Sequence, residues 1–347
     1  MNLINQNLLK EKIDKYFLDK SNSNIISGGL LIAKDNKKIL SKTYGMANFE
    51  LSVPINKESK FRIGSITKQF TAAIILLLVE KKKLKLDDKV NMFLDINGEI
   101  GEILISELLS HTSGIYNYTD EPNFIKNMGL NMKKIDFLDE ISNKKLAFKS
   151  KGDFLYSNTG YVLLGYIIEK VTNISYFDLI QKEIFDKCDM RSSGYDDYRK
   201  IIFNRVSGYR EKKSTKVIEN SEFINSSIPF SAGGLYSTLE DLMKWNTALF
   251  AGEIISKNSL QEMTSKKVKT KNGYYGYGIF INDIEENNKK LTKIWHSGTI
   301  PGFRSCNSFI LEENLQIVLY TNIYKEGFGE VVQDIERIVI DCGGDYE

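Results

Sequence analysis

Histidine is nearly absent from this chain, with two in 347 residues, and that excludes a histidine-rich metal site. Cysteine is also sparse. Cys188, Cys306 and Cys342 are odd in number and lack metal-ligand spacing, which argues against a disulfide framework and a structural zinc. There is no excess of one charge. Lys+Arg of 47 against Asp+Glu of 45 leaves a formal net charge of +2, and nothing in that balance points to nucleic acid. Long apolar runs are missing too. The longest, residues 72–79, is far too short for a bilayer and is followed by Glu80-Lys81-Lys82-Lys83, so no transmembrane segment is expected. The start, Met1-Asn2-Leu3-Ile4-Asn5-Gln6, lacks a basic region followed by an apolar one. As written, the chain is expected to be cytoplasmic. An exported mature form restarted with Met would read the same way.

What is present suffices for a large core: 42% of residues are hydrophobic, in a length that suits one large or two intimate domains. Residues 3–18 carry Leu8, Leu9, Ile13 and Phe17 at helical spacing. Residues 27–47 read as a hairpin turning at Asp35-Asn36-Lys37. Residues 61–80 begin polar and become apolar almost all round, the mark of a buried helix. Helical patterns dominate from 84 to about 225: a short helix at 105–109 stopped by Gly114, then 132–142, 160–171 and 176–185. Residues 208–225 have little apolar content and read as an exposed excursion. Ser237 and Glu240 fit a capping box for a helix to about 249. Strands are expected at 277–281, 291–296, 304–311 and 315–322, with a closing helix at 328–340. Strands at both ends and helices between them define an α+β fold. Its antiparallel sheet would be built from N- and C-terminal strands and flanked by helices. Residues 1–83 and 228–347 would form the discontinuous sheet domain. Residues 84–227 would form an inserted all-α domain, with a ligand cleft between the two.

Ser65 and Lys68 stand three apart at the mouth of the buried helix, on one face, near free backbone N–H groups and the positive dipole end. A hydroxyl, a base and an anion-stabilising helix end are parts of a nucleophilic site. Taken alone, Ser65 reads as a helix cap and Lys68 as a solvated first-turn charge. Ser-x-x-Lys recurs at Ser142–Lys145, in a polar helix end. Tyr-x-Asn occurs at Tyr156–Asn158, in a connector, and at Tyr320–Asn322, closing a strand. Connectors present polar groups to clefts, whereas either motif alone is more often structural. His296-Ser297-Gly298 ends a strand, and His296 alone fits a site or a core histidine equally.

In the order Ser65-x-x-Lys68, Tyr156-x-Asn158, His296-Ser297-Gly298, these motifs resemble the serine β-lactamase and penicillin-binding-protein superfamily. Tyr in the second motif and His in the third are similar to its class C β-lactamase-related branch. That branch includes class C β-lactamases, D-Ala-D-Ala carboxypeptidases, D-aminopeptidases and esterases. The resemblance extends through Phe61–Lys68, Leu108-Leu109-Ser110-His111-Thr112-Ser113-Gly114, residues 156–169, Ala232-Gly233-Gly234-Leu235 and residues 296–303, and covers about residues 27–322. His111 falls in a marker segment read as structural. Lys187-Cys188-Asp189-Met190 departs from the Pro-Leu-Gly-Met of many relatives.

The resemblance implies an acyl-accepting Ser65, with Tyr156 shuttling protons in partnership with Lys68. A free phenol is a poor base at neutral pH unless a cation such as Lys68 favours the phenolate. The backbone N–H groups of Ser65 and Thr299 would form the oxyanion site. Asn158, His296, Ser297, Gly298 and Thr299 would bind substrate, with His296 standing where relatives carry Lys and able to be neutral or charged near pH 7. The function expected is a serine hydrolase acting on an ester, amide or D-peptide, with no cofactor and no metal. A class C-type β-lactamase and a slow penicillin-binding sensor are the alternatives. The partner is a small-molecule or peptide substrate, β-lactams serving as substrates or inhibitors.

Overall fold

A computed structural model describes residues 6–21, 27–148, 153–286 and 289–344. Eight strands make one antiparallel sheet: β1 (Gly28–Lys34), β2 (Lys37–Tyr44), β3 (Val268–Thr270), β4 (Gly273–Tyr275), β5 (Phe280–Glu286), β6 (Lys289–Ile300), β7 (Phe303–Ile310) and β8 (Leu315–Thr321). Their order is β3-β4-β5-β6-β7-β8-β1-β2. The N-terminal hairpin therefore joins the C-terminal meander as expected, with Gly28 opposite Thr321 and Lys34 opposite Leu315.

Strand β1 is buried on both faces, because side chains alternate across a pleat and helices cover both sides. Leu30 and Ile32 pack with Leu9 and Ile13 of α1 (Gln6–Ser21) and, through the same core, with Ile335 and Val339 of the closing helix. Leu31 and Ala33 face the other core, which holds α2 (Thr67–Glu80). Residues 67–78 of α2 are all buried, as the all-round apolar pattern requires. Around α2 stand α3 (Ile105–Ser110), α4 (Asn158–Thr172) and α5 (Leu239–Ala251). The closing helix, α6 (Phe328–Gly344), lies over the opposite face of the sheet with α1. Among the described residues, no helix is long and apolar enough to cross a membrane.

Local differences from the sequence expectations have physical causes. Helix α3 stops at His111, in the left-handed region at φ 58°, rather than at Gly114. The cap of α5 is shifted by one residue: Thr238 accepts from the Asp241 N–H at 3.2 Å. Ser237 instead ends the strand Leu235–Ser237, and its hydroxyl pairs with that of Ser193 at 2.7 Å. The helix at Tyr176–Ile180 widens into a π-type turn over Gln181–Phe185. The excursion at 208–225 docks. Tyr209–Glu211 pairs antiparallel with Ile218–Asn220 and parallel with Ile323–Tyr324, and Tyr209 is buried with its hydroxyl on Glu50. Backbone pairing and one aromatic anchor hold this hairpin, which is why its composition looked solvated. Among the described residues, the mainly helical middle of the chain thus also carries three short strands, counting Gly194–Tyr195.

Candidate active site

Ser65 sits in a single 3-10 turn, Gly64–Ile66, that feeds directly into α2. Lys68, in the first turn of α2, has no solvent-exposed surface. Its Nζ lies 3.0 Å from Ser65 Oγ, 2.7 Å from Asn158 Oδ1 and 2.8 Å from the Ala232 carbonyl oxygen. Asn158 is the first residue of α4, and Ala232 lies in the turn Phe230–Gly233. Two elements far apart in sequence therefore converge on one amine.

Two glycines allow the sheet to reach this turn. Gly64 has φ +51°, and a Cβ there would stand 2.9 Å from the Thr299 nitrogen. A Cβ on Gly298 would stand 1.9 Å from the Ile63 carbonyl oxygen, deep inside contact distance. The end of β6 thus presses against the peptide just before Ser65, and the Thr299 nitrogen lies beside the nucleophile's turn. Ser305 Oγ donates to the Ile63 carbonyl at 2.8 Å and fixes that peptide from β7.

Burial drives the Lys68 pKa well below the usual lysine value. Its three partners can each accept an N–H from the ammonium, whereas the neutral amine keeps two of those bonds and offers a lone pair to the third. Asn158 Oδ1 and the Ala232 carbonyl can only accept; Ser65 can donate its hydroxyl proton to the lone pair. Tyr156, partly exposed, hydrogen-bonds Ser65. Burial pushes its phenol above the ordinary value, and the Ser65 hydrogen bond pulls the other way. Burial thus favours the phenol over the phenolate. Lys68 Nζ stands over the Tyr156 ring face, 4.9 Å from its centroid.

Beneath the amine lies an aromatic cluster. The Tyr161 ring centroid is 5.4 Å from Lys68 Nζ, and the rings of Tyr156, Tyr275 and both histidines adjoin. His296 is 1% exposed. Its Nδ1 lies 2.6 Å from the Ser297 carbonyl, which can only accept, so Nδ1 carries the proton. Nε2 then accepts from the Tyr275 hydroxyl at 3.2 Å. Burial, then Lys68, holds its pKa down to about 3, which makes it neutral. His296 therefore sits behind the cleft with both ring nitrogens occupied. His111 is also buried and held well below the ordinary histidine value.

Gly64, Ser65, Asn158 and Thr299 line a cleft of about 550 Å³. Its wall is apolar, built from Tyr118, Phe124, Ile125, Met128, Ile224 and Ile228. Arg210 and Glu222 also line it and pair with each other, Arg210 pairing in addition with Glu219 at 2.7 Å.

Ser65, Lys68, Tyr156 and Asn158 thus meet in one hydrogen-bonded group, with Thr299 beside it. The duplicate motifs are structural. Ser142 Oγ donates to the Leu138 carbonyl at 2.7 Å inside its own helix. The Tyr320 hydroxyl donates to the Thr238 carbonyl at 3.2 Å, and Asn322 donates to the Met46 and Ser207 carbonyls, each at 2.9 Å. Sequence reasoning missed the Ala232 carbonyl and Tyr275. A backbone oxygen leaves no side-chain signal, and one tyrosine among 18 has none.

The sheet and the helix beneath it are those of the serine β-lactamase and penicillin-binding-protein superfamily. The chain belongs to the beta-lactamase family, whose model matches residues 9–339. It is 29% identical over 345 residues to protein flp of Staphylococcus aureus strain N315, covering 95% of this chain and 66% of that protein. It is 28% identical over 314 residues to penicillin-binding protein 4* of Bacillus subtilis strain 168, covering 85% of this chain and 68% of that protein. The chain thus spans about two thirds of the length of these relatives. The penicillin-binding protein structure from Bacillus halodurans superposes with a TM-score of 0.79 at 28% identity, over 90% of this chain and 95% of that one.

Proposed function

We propose that this protein is a serine hydrolase that works through an acyl-enzyme on Ser65 and cleaves an ester, amide or D-peptide. The observation that carries this reading is Lys68: a buried amine, its pKa pushed well down, 3.0 Å from Ser65 Oγ. As Ser65 Oγ bonds to the substrate carbonyl carbon, its proton passes to Lys68 Nζ. The carbonyl oxygen becomes an oxyanion, held by the N–H groups of Ser65 and Thr299. Tyr156, still protonated and hydrogen-bonded to Ser65, delivers a proton to the leaving oxygen or nitrogen and is reprotonated from Lys68. The C–O or C–N bond breaks and an ester on Ser65 remains. Water then attacks that ester and gives one proton to Lys68; the bond from the acyl carbon to Ser65 Oγ breaks, Oγ takes that proton back, and the acid leaves. Asn158 steers the amine and helps to orient the substrate.

The apolar cleft wall suits an uncharged, apolar acyl group beside the scissile carbonyl. The position where relatives carry Lys holds a buried neutral His296, which favours esters, amides and D-peptides over β-lactams. The test is a panel of nitrocefin, p-nitrophenyl acetate and butyrate, D-Ala-D-Ala peptides and D-amino-acid anilides, run beside Ser65→Ala. Intact-mass analysis with a fluorophosphonate should show one adduct that Ser65→Ala lacks. An adduct that persists in Ser65→Ala overturns the assignment, and efficient nitrocefin turnover overturns the substrate ranking.

A further inference from the structure

We propose that His111 is the positioning residue that holds the Tyr156 phenol against Ser65. This rests on the reading that Tyr156 lies on the proton path. Residues 153–157 form neither helix nor strand, so no regular element fixes the phenol. Ser157 Oγ donates to the Tyr116 carbonyl at 2.8 Å, but one residue holds the connector on both sides of Tyr156. The Leu155 N–H donates to the His111 carbonyl at 2.9 Å. The Ser157 N–H donates to His111 Nδ1 at 3.2 Å. The amides on either side of Tyr156 are thus tied to the backbone and the side chain of a single residue. The His111 ring also packs on the Tyr156 ring at 4.3 Å between centroids.

Three features of His111 fit this role better than a generic core histidine. Its φ of 58° is a conformation that glycine or asparagine adopts more readily, yet a histidine occupies it. That backbone turns the carbonyl and Nδ1 toward the same strand of connector. Because Nδ1 accepts, the neutral ring carries its proton on Nε2, and Nε2 has no hydrogen-bond partner among the described residues. The ring is therefore oriented by what it does for Ser157 and Tyr156, while Nε2 remains unpartnered among the rings of Tyr161 and Tyr275, 5.1 and 4.8 Å away by centroid.

The variants that test this are His111→Gly and His111→Asn, measured by p-nitrophenyl butyrate hydrolysis on the whole chain. Glycine keeps the left-handed backbone and its carbonyl while removing the acceptor and the ring. Asparagine also tolerates that backbone, and its side-chain oxygen can accept from Ser157. A phenol displaced by about 1 Å loses up to about 100-fold in rate. His111→Gly is expected to lower kcat by about 10- to 100-fold with KM nearly unchanged, and His111→Asn to restore most of it. In a double-mutant cycle, His111→Gly should slow Tyr156→Phe no further, because both act through one hydroxyl. A fast His111→Gly beside a slow Tyr156→Phe overturns the proposal, and so do fully additive losses. A Tyr156→Phe variant with wild-type kcat overturns the proton path itself. Circular dichroism checks folding. Should the glycine variant not fold, His111→Asn decides: retained kcat supports the clamp, and a rate as low as that of Tyr156→Phe overturns it.

Discussion

Lys68 donates to Asn158 Oδ1 at 2.7 Å, nearer than the 3.0 Å that separates it from Ser65 Oγ. The amide oxygen orients the amine without adding a charge that would hold a proton on it. Asn158→Asp keeps the size and introduces a carboxylate. An opposite charge at this distance favours the ammonium form and raises the Lys68 pKa. The lone pair is then lost at neutral pH. We expect kcat/KM at pH 7 to fall by about 100-fold or more, with the acid limb of the pH–rate profile moved upward. An unchanged profile in this variant removes Lys68 from the role of base.

Stability should depend on the two buried histidines. The folded protein keeps both neutral, His296 down to about pH 3, whereas the unfolded chain protonates them below about pH 6.5. Protons therefore favour the unfolded state. The stabilising contribution is complete above pH 6.5 and is lost as pH falls toward 3, by up to about 1.4 kcal/mol per pH unit for His296, with His111 acting in the same direction. Urea unfolding across that window should show the slope, and His296→Gln should flatten it. Equal slopes in the two proteins contradict this account.

Gly64→Ala places a methyl group in a left-handed residue, 2.9 Å from the Thr299 nitrogen. Backbone strain of this kind costs about 1–3 kcal/mol. Because the contact falls on a proposed oxyanion donor, kcat should drop by about 10²-fold or more even where the variant folds. Thermal unfolding and single-turnover acylation separate the two effects. A destabilised variant with unaltered acylation rules out Thr299 as a donor.

The cleft wall should read acyl length. Met128, Ile224 and Ile228 are buried there. Each methylene transferred from water contributes about 0.8 kcal/mol, or about fourfold. Butyrate esters should therefore exceed acetate esters in kcat/KM by up to about 15-fold, and Met128→Ser should narrow that ratio. A ratio unmoved by Met128→Ser places the acyl chain elsewhere.

The chemistry of this site was more legible in the sequence than its setting. Ser65, Lys68, Tyr156 and Asn158 stand out in the sequence only through the joint order of their motifs, each of which alone reads as structural, and context separates them from the duplicates at Ser142 and Tyr320. The protonation states were not legible. They depend on an aromatic cluster assembled from Tyr161, Tyr275 and both histidines, which no local pattern encodes. Strands β3 and β4 were missed because Lys266, Lys267, Lys269 and Lys271 make that stretch look like a loop. Lysine is also what protects a sheet edge from unwanted pairing, and β3 is an edge strand. The cap of α5 slipped by one because Ser237-Thr238-Leu239-Glu240-Asp241 fits the capping pattern in two registers.

The pairing of β1 with β8 also sets the order in which this chain can be completed. Gly28 pairs with Tyr44 within the hairpin, but on its other side its partner is Thr321. At about 5–20 residues per second, a ribosome needs on the order of 15–60 s between Gly28 and Thr321. Throughout that interval the β1–β2 hairpin has an apolar edge with nothing to close it. Folding that depends on so distant a contact is slow and exposed to aggregation. The emergence of β8 is thus the event that converts an open sheet into a finished one.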